Sequence, residues 1–308
     1  MKKKKGMIVL ILVLIVLLAV YFGLQTWNSS QEEQEQEAEE ASQIHITETD
    51  GEDITALSFN VGNGDLAFEK QDGTWVYTPD PDFPLAQSYP EDIAAAVGDI
   101  TADRKLENGD TLADYGLDDP QYTIEFTDTE GNVTSLYFGN MTGDYYYMTA
   151  GDEGIVYTVA STALDTLNYT IEDMAQLDEY PSIGSGNLVK EVITQNGETT
   201  TYDSENEDQS EDIAAVAGGL GAVTLSEAAD YSVADEDLAG FGLDEASRIT
   251  VEATYTNDDA EEVLTLYIGN EDGEGNDGEG NRYVMMNDSR IVYLISTEIC
   301  NNILNAED

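Results

Sequence analysis

One stretch constrains this chain more than any other because the chain uses it twice. Leu112-Ala113-Asp114-Tyr115-Gly116-Leu117-Asp118 returns as Leu238-Ala239-Gly240-Phe241-Gly242-Leu243-Asp244. In each copy the first four residues read as the last turn of a short helix. Gly116 and Gly242 then stand where the chain turns left-handed, a conformation only glycine adopts without a Cβ clash. Leu117 and Leu243 follow as the apolar residues that fold back on the helix in a Schellman-type cap. Asp118-Asp119-Pro120 bars further helix in the first copy; Ala246 replaces the proline in the second. Both stretches are structural stops on this reading, with a ligand role for Asp118 and Asp244 as the alternative.

Other blocks repeat in the same order. Glu91-Asp-Ile-Ala-Ala95 matches Glu211-Asp-Ile-Ala-Ala215, an offset of 211 - 91 = 120. The glycine caps are offset by 242 - 116 = 126. Leu136-Tyr-Phe-Gly-Asn140 matches Leu266-Tyr-Ile-Gly-Asn270, offset 266 - 136 = 130, and Ile155-Val-Tyr157 matches Ile291-Val-Tyr293, offset 291 - 155 = 136. An offset that grows while the order holds is the mark of a duplicated unit with loop insertions.

Around these blocks the chain alternates apolar and polar residues at strand spacing. Strands are expected at Ile54–Val61, Asp65–Lys70, Thr74–Tyr77, Tyr122–Asp128, Val133–Phe138, Tyr145–Thr149 and Ile155–Val159. In the second half they are expected at Leu188–Thr194 and Glu198–Tyr202. Pro79, Pro81, Pro84 and Pro90 mark an extended connection. Ser88-x-x-Glu91 and Asp208-x-x-Glu211 read as capping boxes opening one helix in each half. Ser161–Tyr169 and the stretch around Cys300 read as closing helices. The expected fold class is α+β: two related modules, 44–178 and 186–304. Each would be an antiparallel sheet with its capped helices packed on one face.

The N-terminus is different in kind. Lys2 to Lys5 (in a basic tail, 1–6) precede an unbroken apolar run from Met7 to Leu24, long enough to cross a bilayer as a helix. Tyr21, Phe22 and Trp27 stand near its outer end. Charge on the N-terminal side keeps that side in the cytoplasm. Residues 7–27 are therefore expected to be a transmembrane signal-anchor helix of a single-pass cell membrane protein with the C-terminal domain outside. A cleaved signal peptide is the competing reading; no small-x-small site follows the run. Residues 28–43, rich in Glu and Gln, read as an acidic spacer.

Composition narrows the chemistry. Formal charge is -53, from 11 basic and 64 acidic residues; beyond Lys2–Lys5 it is (11 - 4) - 64 = -57. Such a surface repels nucleic acid. One cysteine, Cys300, allows no intramolecular disulfide and reads as a buried apolar thiol. One histidine, His45, is read as lying in a linker; with no histidine expected in the folded region, Ser-His-Asp and Cys-His catalysis and His- or Cys-rich zinc sites are excluded. No cofactor is expected. Within 271–280, Asp272, Glu274, Asn276, Asp277 and Glu279 invite a calcium reading, but an EF-hand begun at Asp272 needs glycine at 277 and an acid at 283 and finds Asp277 and Tyr283. In a strand Tyr145 and Tyr147 share a face; with Tyr137 and Tyr157 they offer an aromatic surface for glycan or peptide, packing within the sheet being the alternative.

Asp72-Gly73-Thr74-Trp75, the block Leu112 to Pro120, Leu136-Tyr-Phe-Gly139 and Tyr145-Tyr-Tyr147, in that order after an apolar run, resemble the bacterial domain-of-unknown-function family numbered 4340. The second copy resembles it less, lacking the proline and the Gly-x-Trp. The resemblance implies an envelope protein with one anchor, and for some members a place beside transporters of the gliding-motility type. It implies no catalytic residues. The expected function is a non-catalytic binding or assembly module, accessory to an envelope ABC-type transporter. The alternatives are a carboxylate-dependent surface hydrolase acting on glycans and a calcium-dependent adhesin.

Overall fold

A computed structural model describes residues 44–106, 111–151, 154–258, 260–273 and 280–306. The basic tail, the apolar run and the acidic spacer lie outside the described residues. Among the described residues no helix is long and apolar enough to cross a membrane.

In chain order the strands and helices are β1 (Ile44–His45), β2 (Ile54–Asn60), β3 (Leu66–Gln71), β4 (Thr74–Tyr77), α1 (Ser88–Gly98), β5 (Thr101–Ala102), β6 (Arg104–Leu106), β7 (Tyr122–Asp128), β8 (Val133–Thr142), β9 (Tyr145–Ala150) and β10 (Val156–Ala160). They continue with β11 (Leu188–Gln195), β12 (Glu198–Asp203), α2 (Ser210–Gly221), β13 (Ala228–Asp230), α3 (Leu238–Phe241), β14 (Ile249–Asn257), β15 (Ala260–Glu271), β16 (Asn281–Met286), β17 (Val292–Ser296) and α4 (Thr297–Ile303). Short 3-10 helices at Gly51–Asp53, Leu112–Tyr115, Ser161–Leu167 and Glu172–Met174 complete the first half. The chain is α+β with antiparallel sheets and few helices.

By internal contact it divides into two compact units. One is the described part of Met1–Ala67 with Ser88–Asn168; the other is Phe68–Gln87 with the described part of Tyr169–Asp308. The division is not the one read from the sequence at 178/186. The β3–β4 hairpin and the proline-marked segment after it are grouped with the later residues for a local reason. Leu85 bridges Ala175, the Ala86 N–H donates to Met174 O at 2.9 Å, and the Gln176 N–H donates to Pro84 O at 2.6 Å. Phe83 packs its ring 5.2 Å from that of Tyr231.

In the first unit β2, β7, β8, β9, β10 and β6 run side by side, every neighbour antiparallel. Leu57, Phe59, Ile124, Phe126, Leu136, Phe138 and Met148 form the buried layer of this sheet. α1 turns Ile93, Ala94 and Val97 inward and packs on β2 and on the Ser161–Leu167 turn. In the second unit the order is β12, β11, β14, β15, β16, β17, β13, again antiparallel throughout. Its core joins Val251, Leu266, Ile268 and Val284 to Val216 and Leu220 of α2 and to Cys300 and Ile303 of α4. Burying an alternating apolar face of this kind against a helix is what gives a sheet its stability.

The expectation of helices on one face only is corrected. α2 and α4 cover one face of the second sheet, while Leu238 and Phe241 of α3, with Leu243, pack on Met285, Val292, Tyr267 and Tyr283 of the other. The first sheet does the same: Tyr115 and Leu117 lie on Val156, Tyr137 and Tyr147. These strand residues alternate with the core positions, so they point away from α1.

Two smaller expectations change. Pro90 stands in the first turn of α1, buried, where no backbone N–H is needed. The second helix does not start from Asp208: Asn206 caps a 3-10 turn at Glu207–Gln209, and α2 begins at Ser210. The edge strands β6 and β13, each only three residues long, were not visible in the pattern; three residues carry too little alternation to read.

Candidate functional site

The repeated blocks meet in space. Gly116 has φ 71° and Gly242 φ 68°, both left-handed. The Leu117 N–H returns to Leu112 O at 2.9 Å, and the Leu243 N–H to Leu238 O at 2.9 Å. Thr111 donates through N–H and Oγ1 to the Asp114 carboxylate, at 2.9 and 2.6 Å, and these two bonds hold that carboxyl below its ordinary range. A Cβ added to Gly116 would stand 2.8 Å from the Asn140 side chain; one added to Gly242 would strike Asn270. A Cβ on Gly139 or Gly269 would fall on the carbonyl oxygen of Tyr115 or Phe241. The Gly-Leu and Gly-Asn blocks are thus the two sides of one lock, made once in each unit. Gly116, Leu117, Gly242 and Leu243 work as packing residues.

The four tyrosines singled out in the sequence do not form one surface. Tyr137 and Tyr147 are half-buried in the patch under the capped turn, the Tyr147 ring 4.6 Å from that of Tyr115. Tyr145 is on the same face as Tyr147. Tyr157 pairs with Met148 and therefore points to the opposite, α1-covered face. Of the acidic loop, residues 274–279 lie outside the described residues. Among the described residues no group of three or more His, Cys, Asp or Glu is placed to hold a metal ion.

What the geometry does offer is a cleft at the same place in each unit, where the core face opens between the ends of the strands and the closing helix. In the first unit it measures about 230 Å³ and is lined by Val61, Tyr122, Tyr146, Leu164, Asp165 and Asn168, with Ser161. The Tyr146 ring packs edge-on against Tyr122 at 5.8 Å and Phe138 at 6.1 Å, and its phenol is pushed upward by burial and by Tyr122. In the second unit the cleft measures about 410 Å³. Arg282 stands where Tyr146 stood, two residues before the core position of its strand. Ile249 takes the place of Tyr122 at a strand start, and Asn301 that of Asp165 at the fifth residue of the closing helix. Gln195, Asn196, Glu198, Thr200 and Tyr202 complete its walls. Arg282 donates from Nε and Nη2 to Gly269 O, at 3.1 and 2.6 Å, and makes no ion pair among the described residues.

Two further clusters were missed by sequence reasoning. Glu191, on β11, is 0% exposed, and neither carboxylate oxygen has a hydrogen-bond partner. Burial pushes its carboxyl up to about 8, so it is neutral at pH 7. The phenol of Tyr180, also buried and unpartnered, is raised by burial and by the nearby Glu191 and Tyr255. Asp178 accepts from Ser289 Oγ at 2.5 Å and from Tyr293 Oη at 2.8 Å, which braces the segment leading into β11. With two hydroxyls donating into it, this carboxylate is an anchor and leaves no base beside Ser289. The available signal was spacing: Glu191 stands two residues before Ile193 on one strand face, and in the structure it pairs with Ala253 as Leu57 pairs with Phe126, an acid where the other half has leucine. Cys300 is buried and donates to Ile295 O at 3.9 Å; burial raises its thiol to about 11, opposed only in part by the charge of Arg282.

Residues 75–219 match the family described as Domain of unknown function (DUF4340). The match opens in β4, contains the whole Leu112–Pro120 block and ends in α2. No curated protein matches the chain. No solved structure matches it.

Proposed function

We propose that this DUF4340-family chain is a non-catalytic binding or assembly module, held outside a bacterial cell membrane by one N-terminal helix and built from two tandem copies of one folding unit. The observation that carries the reading is the recurrence of one cleft at one place in two antiparallel sheets whose strand orders match apart from the extra edge strand β4, each with the same glycine–asparagine lock. Duplication followed by divergence at the cleft accounts for both the sameness and the difference. The membrane anchor rests on Lys2–Lys5 and the apolar run Met7–Leu24. A partner in the envelope, an ABC-type transporter among them, rests on the family resemblance.

Binding is favoured over hydrolysis by the charge content of the clefts. Among the described residues each is lined by a single carboxylate, Asp165 or Glu198. Glycoside hydrolysis takes two, about 5–9.5 Å apart. The test is a photo-crosslinker placed at Asn301 or Asp165 in the full-length protein in its own membrane, with Val133, exposed and not among the residues lining either cleft, as control. Capture of one discrete envelope partner from the cleft positions and none from Val133 is the expected result. Equal labelling from all three positions would remove the reading. Recovery of the intact chain with the membrane after carbonate washing, with its C-terminal domain open to external protease, is expected for the anchor.

A further inference from the structure

The second cleft differs from the first in a way that specifies a ligand. Arg282 brings a guanidinium with five N–H donors, of which two are used on Gly269 O. The chain has 64 acidic against 11 basic residues, so an arginine without an ion pair among the described residues does not reflect a shortage of carboxylates. Glu198 lines the same cleft and is not its partner. A planar fork left open in this way fits a carboxylate, by paired N–H donation. Around it the walls supply amides and hydroxyls, from Asn196, Asn301, Thr200 and Tyr202, and the floor is apolar, from Ile193 and Ile249. Amides that both donate and accept suit neighbouring hydroxyls, and an apolar floor suits the C–H face of a pyranose ring. The volume, about 410 Å³, is that of a small-molecule site and takes one or two such rings. In the first unit Tyr146 stands in the place of Arg282, stacked on Tyr122 and Phe138, and the cleft narrows to about 230 Å³, which confines the specialisation to one copy.

We propose that the cleft between β11, β12, β16 and α4 binds an acidic sugar, its carboxylate on Arg282 and its hydroxyls on the amide walls. The proposal rests on the reading of the chain as a binding module and names the ligand class of one cleft. Glu198 on the wall penalises a second negative charge, so the ligand carries one carboxylate per ring pair and no phosphate or sulfate cluster.

The test uses the full-length protein in detergent micelles, with the monomeric uronates D-galacturonate and D-glucuronate as probes and galactose and glycylglycine as comparators, followed by titration calorimetry and saturation-transfer NMR. The expected result is saturable binding of the uronates, with galactose weaker by about tenfold or more, the usual value of a charge-assisted paired contact. Arg282→Gln is expected to remove that preference and Arg282→Lys to keep part of it. Because Arg282 also holds Gly269, Asn301→Ala serves as a second variant that leaves this bond intact; it is expected to weaken uronate binding several-fold at unchanged melting temperature. Tyr146→Phe, in the other cleft, is expected to change nothing. Equal binding of galactose overturns the role of Arg282, and equal binding of glycylglycine transfers the site to peptide termini and overturns the sugar. No saturation up to about 10 mM, an affinity weaker than about 3 kcal/mol, overturns the proposal outright. Crosslinking of a partner from the cleft would survive any of these outcomes, so a failure here is separable from a failure of the binding-module reading.

Discussion

Glu191 should make this protein lose stability as the pH rises through neutrality, and the size of the loss follows from its burial. Its carboxyl has an ordinary value of 4.5 and stands at about 8 in the folded chain. Below 4.5 both folded and unfolded chains hold the proton and the group is neutral in its effect. Between 4.5 and 8 the unfolded chain releases the proton and the folded chain keeps it, so folding takes up a proton. Stability then falls by about 1.4 kcal/mol for each pH unit. The 2.5 units from 4.5 to 7 give about 3 kcal/mol at pH 7, and the 3.5 units to 8 give about 5 kcal/mol above that pH. Glu191→Gln removes the titration and leaves as many polar atoms unpartnered as the neutral acid does. The two proteins are therefore expected to be equally stable near pH 4.5 and to diverge steadily to pH 8, the variant being the more stable. Glu191→Leu, which copies Leu57 of the other unit, is expected to gain a further ~1–3 kcal/mol at every pH by removing the unpartnered polar atoms. Urea unfolding followed by fluorescence reports on the right place, since Trp75 is 2% exposed and belongs to the same compact unit as Glu191. The quantity to plot is the difference between wild type and Gln variant, which cancels the other titrating groups. A difference that does not change between pH 5 and 8 would refute the reasoning.

The glycine lock and the acidic loop give two further expectations. Gly139→Ala and Gly269→Ala drive a Cβ into a backbone carbonyl that cannot move aside, and each is expected to cost more than ~3 kcal/mol; Gly116→Ala and Gly242→Ala meet a movable asparagine at positive φ and are expected to cost about 1–2 kcal/mol, all read as melting temperatures. Millimolar calcium is expected to leave the melting temperature of the full-length protein unchanged; a rise that disappears on deletion of 271–280 would establish a calcium site instead.

Much of the architecture was legible because it is local. Alternation placed β7 at Tyr122–Asp128 with both ends correct, and the Gly-Leu pairs announced their own left-handed turns. The repetition of Leu-Tyr-x-Gly-Asn was visible, but its reason was not. Gly139 is needed because a carbonyl from Tyr115 arrives on it, and no local pattern reports an approach across a sheet. For the same reason the face on which the capped turn lies could not be read. The tyrosines misled: period two separates faces within a strand, and only the pairing of Tyr157 with Met148 set it apart from Tyr137 and Tyr147. Arg282 and Asn301 are drawn together by α4 folding back on β16, a long-range event that leaves no trace in spacing.

The assignment of Phe68–Gln87 to the later compact unit has a consequence for synthesis. That segment leaves the ribosome 169 - 87 = 82 residues before the next part of its unit begins. At about 5–20 residues per second the wait is roughly 4–16 s. Through that interval Phe83 lacks the Tyr231 ring and Pro84–Ala86 lack Met174–Gln176, and the nascent chain offers Phe83 to whatever binds exposed aromatic side chains. A chaperone that meets this protein during its birth should be found on that segment.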